Sequence, residues 1–557
     1  MPTVYQDYMK RILSILALVA ILVGGLGANT PAAARKDRFA AKLNTFNSIV
    51  KELQTHYVDT LDADQIMNRT IDALLYQIDP YTEYYPSGDQ DELLSISQGQ
   101  YAGIGSVISK RGNTVIINEP QDGSPSKRAG LRPGDVILKI NNDTVTPDMA
   151  VDQVSKRLRG QAGTDITIKV RRPYVDDSLL TFSFVRENIK VNPLPYFGVD
   201  SDGIGYIRLT TFNEASARRV REAVAEMLKN PALKGIVLDL RSNGGGLLEG
   251  AVQIAANFVP KGTEIVRTKG REKEMSRYSK PPHSPSIQRV PLAILTDGGT
   301  ASASEIVAGS MQDLDRAVII GDRSYGKGLV QTPLALPHDD LMKITTGRYY
   351  IPSGRLIQAL DYSHRNEDGS PMRTPDSLTN EFRTKAGRIV RDGGGITPDI
   401  KVEAPKSNRL LYNIIADMWA FDFANKKFAG QPTPPDTLVT DAVFEEFKGF
   451  IDPKRFKYDR QCESALDYLK ESAKIEGYMT DSVAAQFEIL AGMLKHDLNH
   501  DLDINKEEIK EVLDTELAMR YYDEGRRIRR ILPGDSTYQK AKSVLLDPEA
   551  YRKLLSK

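Results

Sequence analysis

Val290-Pro-Leu-Ala-Ile-Leu-Thr296-Asp-Gly-Gly-Thr-Ala-Ser302-Ala-Ser-Glu305-Ile-Val-Ala-Gly309 runs from an apolar stretch, through a glycine pair, into helical spacing. A short apolar run bounded by turn residues reads as a strand. The same unit occurs on either side. Gly235-Ile-Val-Leu-Asp-Leu240 is followed by Gly244-Gly245-Gly246 and a helical stretch from about Leu247 to Phe258. Ala317-Val-Ile-Ile320 comes after the helix read from about Ser302 to Leu314. Strands alternating with helices predict an α/β core with parallel pairing over residues 188–403.

Outward from that core the character changes. Residues 93–187 carry short β-rich runs, such as Thr114-Val-Ile-Ile117 and Asp165-Ile-Thr-Ile-Lys-Val170, with a helical stretch at Met149–Leu158. Residues 35–92 read as helices, with Phe46, Ile49, Val50 and Leu53 at helical spacing, until Asp79-Pro80 breaks the pattern. Residues 404–557 read as a helical, charged extension. Leu411, Ile414, Ile415, Met418 and Trp419 form one stripe, Val483, Phe487, Leu490 and Leu494 another, and Gln431-Pro-Thr-Pro-Pro435 splits the region.

The first 34 residues read as a secretory signal. Lys10 and Arg11 precede the apolar run Ile12–Ala28, and Ala32-Ala33-Ala34 before Arg35 offers a small-residue cleavage site. Such a signal implies export to the periplasm. An uncleaved segment, at the short limit for spanning a bilayer, would be the route to membrane association.

The 557 residues exceed one core, and about three to four domains are expected. Lys+Arg and Asp+Glu both number 74, so no global charge favours nucleic acid as a partner. One cysteine, Cys462, supports neither an intramolecular disulfide nor a cysteine metal site. Asp497–Glu508 carries oxygen side chains at EF-hand positions, but Leu502 stands where the loop needs glycine, so a helix connector is expected there and no metal. No cofactor is implied.

Ala129-Gly130-Leu-Arg-Pro-Gly134-Asp135 looks like the PDZ turn that precedes a strand, here Val136–Ile140. PDZ domains bind an extended C-terminal peptide by strand addition and hold its carboxylate on backbone N–H groups. Tyr101-Ala102-Gly103-Ile104-Gly105 is placed to be that loop. The plainer role of residues 93–187 is a spacer module.

Several local chemistries compete in the core. Ser302, leaving a strand and entering a helix, lies where backbone N–H groups and the helix dipole suit an oxyanion. It needs a base, and Lys327 between Gly326 and Gly328 could serve once neutral. Ser302 could equally be a helix N-cap, with Glu305 completing a capping box, and local physics alone favours the cap. Gly321–Gly328 resembles a phosphate-binding loop but has glycine at 328 where Ser or Thr would hold Mg²⁺. Ser324-Tyr-Gly-Lys327 spells S-x-x-K, yet sits in a glycine turn without the companion motifs. His283, His338 and His364 would be the bases of a triad, but His283 and His338 lie in turn-rich segments.

Ser302-Ala-Ser-Glu-Ile-Val-Ala-Gly309 with Tyr325-Gly-Lys-Gly-Leu-Val-Gln331 resembles the paired signature of the carboxy-terminal processing (tail-specific) proteases, whose nucleophile and base lie 25 positions apart, as 302 and 327 do. Leu238-Asp-Leu-Arg-Ser-Asn-Gly-Gly-Gly246, Gly347-Arg-Tyr-Tyr-Ile-Pro-Ser-Gly-Arg355, Gly394-Gly-Ile-Thr-Pro-Asp399 and Ile78-Asp-Pro-Tyr-Thr82 extend the likeness over about residues 40–403, in the family's order. The resemblance implies a crotonase/ClpP-like α/β protease core with a PDZ domain. It implies a serine endopeptidase with Ser302 as nucleophile, Lys327 as base and Gln331 orienting the lysine. The oxyanion hole would be Ala303 and Gly245, although the family usually has proline where this chain has Gly244. The substrate would be a protein or peptide recognised by its C-terminus. A non-catalytic PDZ scaffold is the alternative, and the intact Ser302, Lys327 and Gln331 speak against it.

Overall fold

The computed structural model describes residues 31–557 apart from 89, 91–97, 176–177, 272–276, 280–286, 288, 404–407, 432, 459, 496 and 557, with backbone alone for 31–37 and 277–279. The apolar run Ile12–Ala28 lies outside the described residues, as does His283. Residues up to Pro80 form one compact unit and Tyr81 onward another.

The first unit holds helix α1 (Pro31–His56) and helix α2 (Ala63–Tyr76). Helix α1 runs without a break across Ala34 and Arg35. The Asp62 side chain caps α2 by accepting from Gln65 N–H at 2.9 Å, which satisfies an amide that the helix start leaves open.

The second unit opens with β1 (Glu83–Tyr85), a strand inside the segment expected to be helical. Its three residues have no independent periodicity. They are extended because they pair with a later strand, β18 (Leu341–Tyr350).

Residues 100–190 form the next layer. Strand β2 (Gln100–Gly103) pairs with β9 (Glu187–Lys190), so β9 straddles the 187/188 junction. Strands β3 (Ser106–Arg111), β4 (Thr114–Pro120), β5 (Val136–Ile140), β7 (Asp165–Arg172) and β8 (Ser178–Val185) make an antiparallel sheet in that order, with β6 (Asp143–Thr144) on β5. Short helix α3 (Pro125–Ala129) ends on Gly130 at φ +94°, a left-handed cap that glycine adopts without strain. Asp135, fully buried, accepts from Arg132 N–H at 2.8 Å and from the Arg172 guanidinium at 2.7 Å. The turn motif therefore encodes a buried carboxylate that holds α3 and β7 together. Helix α4 (Val151–Leu158) packs Val154 and Leu158 against Ile117, Ile140 and Ile168.

In the next layer β10 (Tyr196–Val199) pairs antiparallel with β11 (Ile204–Arg208). From β11 the sheet continues in parallel through β12 (Gly235–Asp239), β15 (Leu292–Thr296), β16 (Val318–Gly321) and β23 (Ile400–Lys401). Helices α5 (Ser216–Met227), α6 (Leu248–Ala255) and α7 (Ala303–Asp313) are its crossovers. Both faces are buried, which is why these strands are continuous apolar runs. On one face Ile207, Ile236, Leu238, Ile294 and Ile319 pack with α5–α7. On the other, Tyr206, Val237, Ala293, Leu295, Val318 and Ile320 meet Tyr538, Ala541, Val544, Leu545 and Tyr551 from the end of the chain.

A second sheet combines β1, β13 (Val266–Gly270), β14 (Arg277–Ser279), β17 (Leu329–Ala335) and β18. Two hairpins, β19 (Leu360–Arg365) with β20 (Pro371–Arg373) and β21 (Glu381–Arg383) with β22 (Ile389–Arg391), precede β23.

The C-terminal region is helical: α8 (Arg409–Ala416), α9 (Trp419–Gly430), α10 (Asp441–Phe450), α11 (Gln461–Ile475), α12 (Asp481–Met493), α13 (Leu498–Ile504), α14 (Lys506–Tyr521), α15 (Glu524–Ile531), α16 (Ser536–Leu546) and α17 (Pro548–Leu555). Helices α8–α10, α13 and α14 share a core of Leu410, Ile414, Phe423, Phe444, Phe447, Leu502 and Leu513. Asp497–Glu508 forms α13 and the start of α14, with Asp497 as the N-cap, Asn505 between the helices and Leu502 buried in that core; among the described residues no carboxylate, histidine and cysteine cluster could hold a metal ion.

Candidate active site

The carboxyl ends of three parallel neighbours, β12, β15 and β16, release the loops that carry Gly245, Ser302 and Lys327. Open α/β sheets bind ligands at such ends. The loops are tied to each other. Ser242 N–H donates to Asp297 Oδ1 at 2.8 Å, Thr300 Oγ1 to Leu240 O at 2.9 Å, Ser304 Oγ to Asn243 O at 2.9 Å, and Tyr325 N–H to Thr300 O at 3.0 Å.

Ser302 is half-buried and precedes the first residue of α7 with φ 55° and ψ −115°. A non-glycine residue in this region costs about 1–3 kcal/mol and persists where its surroundings impose it. Its hydroxyl makes no capping bond. Glu305 reaches back to Ser302 N–H at 2.9 Å, while Glu305 N–H donates to the Ser302 carbonyl at 2.9 Å. Half of the capping box forms, and the hydroxyl is left out of it.

Glu305 does more than cap. It is fully buried and accepts four hydrogen bonds: Oε1 from Ser324 Oγ at 2.5 Å and Gly326 N–H at 2.7 Å, Oε2 from Ser302 N–H at 2.9 Å and Lys327 N–H at 2.8 Å. One oxygen thus holds the backbones of both Ser302 and Lys327. Burial pushes the Glu305 carboxyl up to about 7, while the hydrogen bonds pull it down. The buried Tyr349 hydroxyl bridges the same pair from the carbonyl side, meeting Ser302 O at 3.1 Å and Lys327 O more closely. Burial raises the Tyr349 phenol well above its usual range, so it stays neutral.

The half-buried Lys327 side chain lies with Nζ 4.0 Å from the centre of the Tyr81 ring, a position where the ring face attracts the lysine in its ammonium form. Tyr81 stacks edge-on against Tyr362 at 5.8 Å. Gln331 is on β17 and donates to Thr345 Oγ1 at 3.2 Å. The pairing of β17 with β18 shifts register between Val330 and Gln331, and such a bulge re-aims side chains next to active sites.

Gly245 lies directly against the start of α7. A Cβ placed on it would sit 2.8 Å from both Ala303 N and Ser302 Cβ, and its φ is +99°. Only glycine fits. Ala303 N–H is a first-turn amide, a group that helices leave without an intrahelical partner. The Gly245 N–H, by contrast, donates to Asn243 Oδ1 at 2.9 Å, and Asn243 Nδ2 to Leu209 O at 2.8 Å. The second oxyanion donor expected from sequence is therefore engaged inside its own loop in this structure.

The other sequence candidates fall elsewhere. Ser324 is buried, donating to Glu305 and accepting from Ile396 N–H at 2.6 Å, which is a structural role. A strand, β17, succeeds the Gly321–Gly328 turn where a phosphate loop would start a helix. His338 is exposed in a tight turn, and His364 is exposed beside Asp361 at 2.7 Å. Sequence reading missed Tyr349 and Tyr81 as neighbours of the site, although the first lies in the Gly347–Arg355 motif and the second in Ile78–Thr82. It also missed Arg355, whose guanidinium is buried 2.8 Å from Asp313 in α7.

Of the expected loop, Tyr101, Ala102 and Gly103 are strand β2, paired with β9, and only Ile104 and Gly105 link it to β3, an end strand of its sheet; a Cβ placed on Gly103 would sit 3.5 Å from Arg159 Cα, at the carboxyl end of α4. Gly105 has φ +72°. A peptide pairing antiparallel with β3 would end at this loop.

Residues 203–362 match the model of peptidase family S41, residues 116–172 that of the PDZ domain, and residues 410–545 one described as "Probable PDZ-protease, C-terminal helical domain". A carboxy-terminal-processing protease of Bartonella bacilliformis is 36% identical over 326 residues, 57% of this chain and 73% of that one. A CtpA-like serine protease of Staphylococcus aureus is 29% identical over 439 residues, 78% of each chain. The solved photosystem II D1 C-terminal processing protease is 25% identical, with 64% of this chain and 86% of that one covered and a TM-score of 0.36. The fold and the matched segments define a serine protease with a PDZ domain and a helical C-terminal domain. The chain belongs to peptidase family S41, among the carboxy-terminal-processing proteases.

Proposed function

We propose that this protease cleaves by a Ser302–Lys327 dyad and selects substrates by their C-terminal tails. The observation that carries the dyad is the shared acceptor: Glu305 Oε2 holds the N–H groups of both residues. Neutral Lys327 Nζ takes the Ser302 proton as Oγ adds to the scissile carbonyl carbon. The oxyanion is received by Ala303 N–H and by Gly245 N–H once the latter leaves Asn243. The intermediate collapses, the Lys327 ammonium returns the proton to the departing amine, and an acyl-enzyme remains. Water then adds with Lys327 as base again, releasing the acid and restoring Ser302. Gln331 orients the lysine from the bulged start of β17.

The tail pairs with β3 and sets its carboxylate at Tyr101–Gly105, with Ala102, Gly103 and Ile104 between them. An apolar terminal residue is expected. The protein acts in the periplasm after loss of residues 1–34, and N-terminal sequencing of exported protein should begin at Arg35. A fluorophosphonate probe should label Ser302, as peptide mass mapping would reveal. Labelling confined to another serine in active enzyme would refute the assignment.

A further inference from the structure

The catalytic layer ends in a pair of helices from the far end of the chain, and one residue there reaches the loop that carries Gly245. Asp535, three residues before Tyr538, caps α16 with Oδ1, accepting from Thr537 N–H and Tyr538 N–H at 3.0 Å each. The same carboxylate takes both outer nitrogens of the Arg241 guanidinium, Nη1 at 3.1 Å and Nη2 at 2.5 Å. Arg241 is held on its other side by Asp239, through Nε at 3.0 Å and Nη2 at 2.6 Å, and Asp239 also accepts from Arg241 N–H at 3.0 Å. Asp239 is 1% exposed and bound as well by Tyr206 OH at 2.6 Å and Arg208 at 2.9 Å. Arg241 is thus clamped between two carboxylates, one from β12 and one from the C-terminal helices.

The clamp matters because of the turn it anchors. Ser242 has φ 54°, Asn243 is fully buried, and Gly245 touches Ser302 and Ala303. Arg241 is the last side chain anchored in the sheet before this strained turn. Bidentate guanidinium–carboxylate pairs fix direction as well as distance. A guanidinium free to swing away would remove the tie at the sheet end of the turn that sets Gly245 against α7, leaving those of Ser242 to Asp297 and of Asn243 to Leu209 and Ser304.

We propose that Asp535 is a positioning residue for the oxyanion loop, so that the C-terminal helices complete the active site through Arg241. This rests on the assignment of Ser302 and Gly245 to the catalytic site. The family match that covers residues 410–545 gives that region a domain but no task.

The test is Asp535→Asn in the full chain. Asparagine caps a helix as well as aspartate does, so α16 keeps its start while Arg241 loses the anionic charge that faces it from the C-terminal helices. The kcat for a peptide substrate should fall about 10- to 100-fold with KM little changed, less than or equal to the loss of an oxyanion donor. Affinity for a peptide boronic acid, which adds to the serine and puts an oxygen in the hole, should fall in parallel. Asp547→Ala is the control. It removes the cap of α17, where Asp547 accepts from Glu549 and Ala550 N–H, and should lower Tm while leaving kcat near wild type. Wild-type kcat and boronate affinity in Asp535→Asn would overturn the inference. If Ser302→Ala also bound the boronate normally, the site assignment would fall first and the inference with it.

Discussion

Protonating Glu305 requires one of its four donors to leave, because both oxygens already accept two hydrogen bonds. With burial pushing this carboxyl up to about 7, activity should drop as pH falls through about 7. The sign for stability is opposite. The folded pKa stands above the unfolded value, so between about 4.5 and 7 the folded chain holds a proton that the unfolded chain has released. This contribution to stability is fully present below that window and is lost as pH rises through it. Glu305→Gln should remove this pH dependence from Tm and cost at least about 100-fold in kcat, since its amide N–H₂ would face a donor. A pH–kcat curve for Glu305→Gln that overlays wild type would contradict the role. From sequence, Glu305 was legible only as a cap, because the i,i+3 spacing to Ser302 is local. Its partners Ser324, Gly326 and Lys327 come from the next strand end, and spacing alone does not say that two loops meet. Ser302 and Lys327 are candidates through their motifs, not through local physics, which favoured the cap.

Among the elements, the three central strands of the parallel sheet, β12, β15 and β16, were readable because burial on both faces leaves unbroken apolar runs, while β11, interrupted by Gly205, and the two-residue β23 were not. Strands β1 and β18 were not, since half-exposed residues such as Lys343, Thr345 and Thr346 mask any alternation. The antiparallel sheet that carries β3 makes its own prediction. A Cβ on Gly105 would lie 2.4 Å from Ser124 Cβ, and its φ of +72° strains any larger residue. Gly105→Ala should therefore distort the loop before β3 and raise KM for a peptide with a free apolar C-terminus, with kcat changed much less. Amidating the peptide should raise KM for wild type by a similar factor and add little in the variant. Equal KM for free-acid and amidated peptides in wild type would remove tail recognition from β3.

At the scale of the molecule, the C-terminal helices are less an appendage than the second cover of the catalytic sheet. Tyr551 OH lies 2.9 Å from Leu292 N and 3.1 Å from Leu292 O, and Leu545 lies over Gly235. Neither amphipathic stripe read in residues 404–557 is what covers the sheet: Ile414 of the first belongs to the separate helical core, and α12, which carries the second, buries no residue. Helix α9 also meets the antiparallel sheet through Phe421 on Ile116 and Val136, and through Asp422 on Arg111 at 2.6 Å. Deleting residues 532–557 would expose Tyr206, Val237, Leu295, Val318 and Ile320. At about 1.5–3 kcal/mol for each large apolar side chain, the loss is comparable with the whole stability of a domain, about 5–15 kcal/mol. The truncated chain should be insoluble, or unfold at least about 15 °C below the full chain, by the slope expected for a large domain. A soluble, active truncation would refute the layer assignment.

The dyad is tested most directly by casein hydrolysis with Ser302→Ala, Lys327→Ala and Lys327→Arg beside wild type. Arginine keeps the charge but does not lose its proton at working pH. Because Ser302 makes no side-chain cap in this structure, Ser302→Ala should fold with near wild-type Tm. The account predicts that all three variants are inactive and that Lys327→Arg is as inactive as Lys327→Ala. Substantial hydrolysis by Lys327→Arg would contradict it, because a cation that only stabilises charge would then suffice and Lys327 would not be the base.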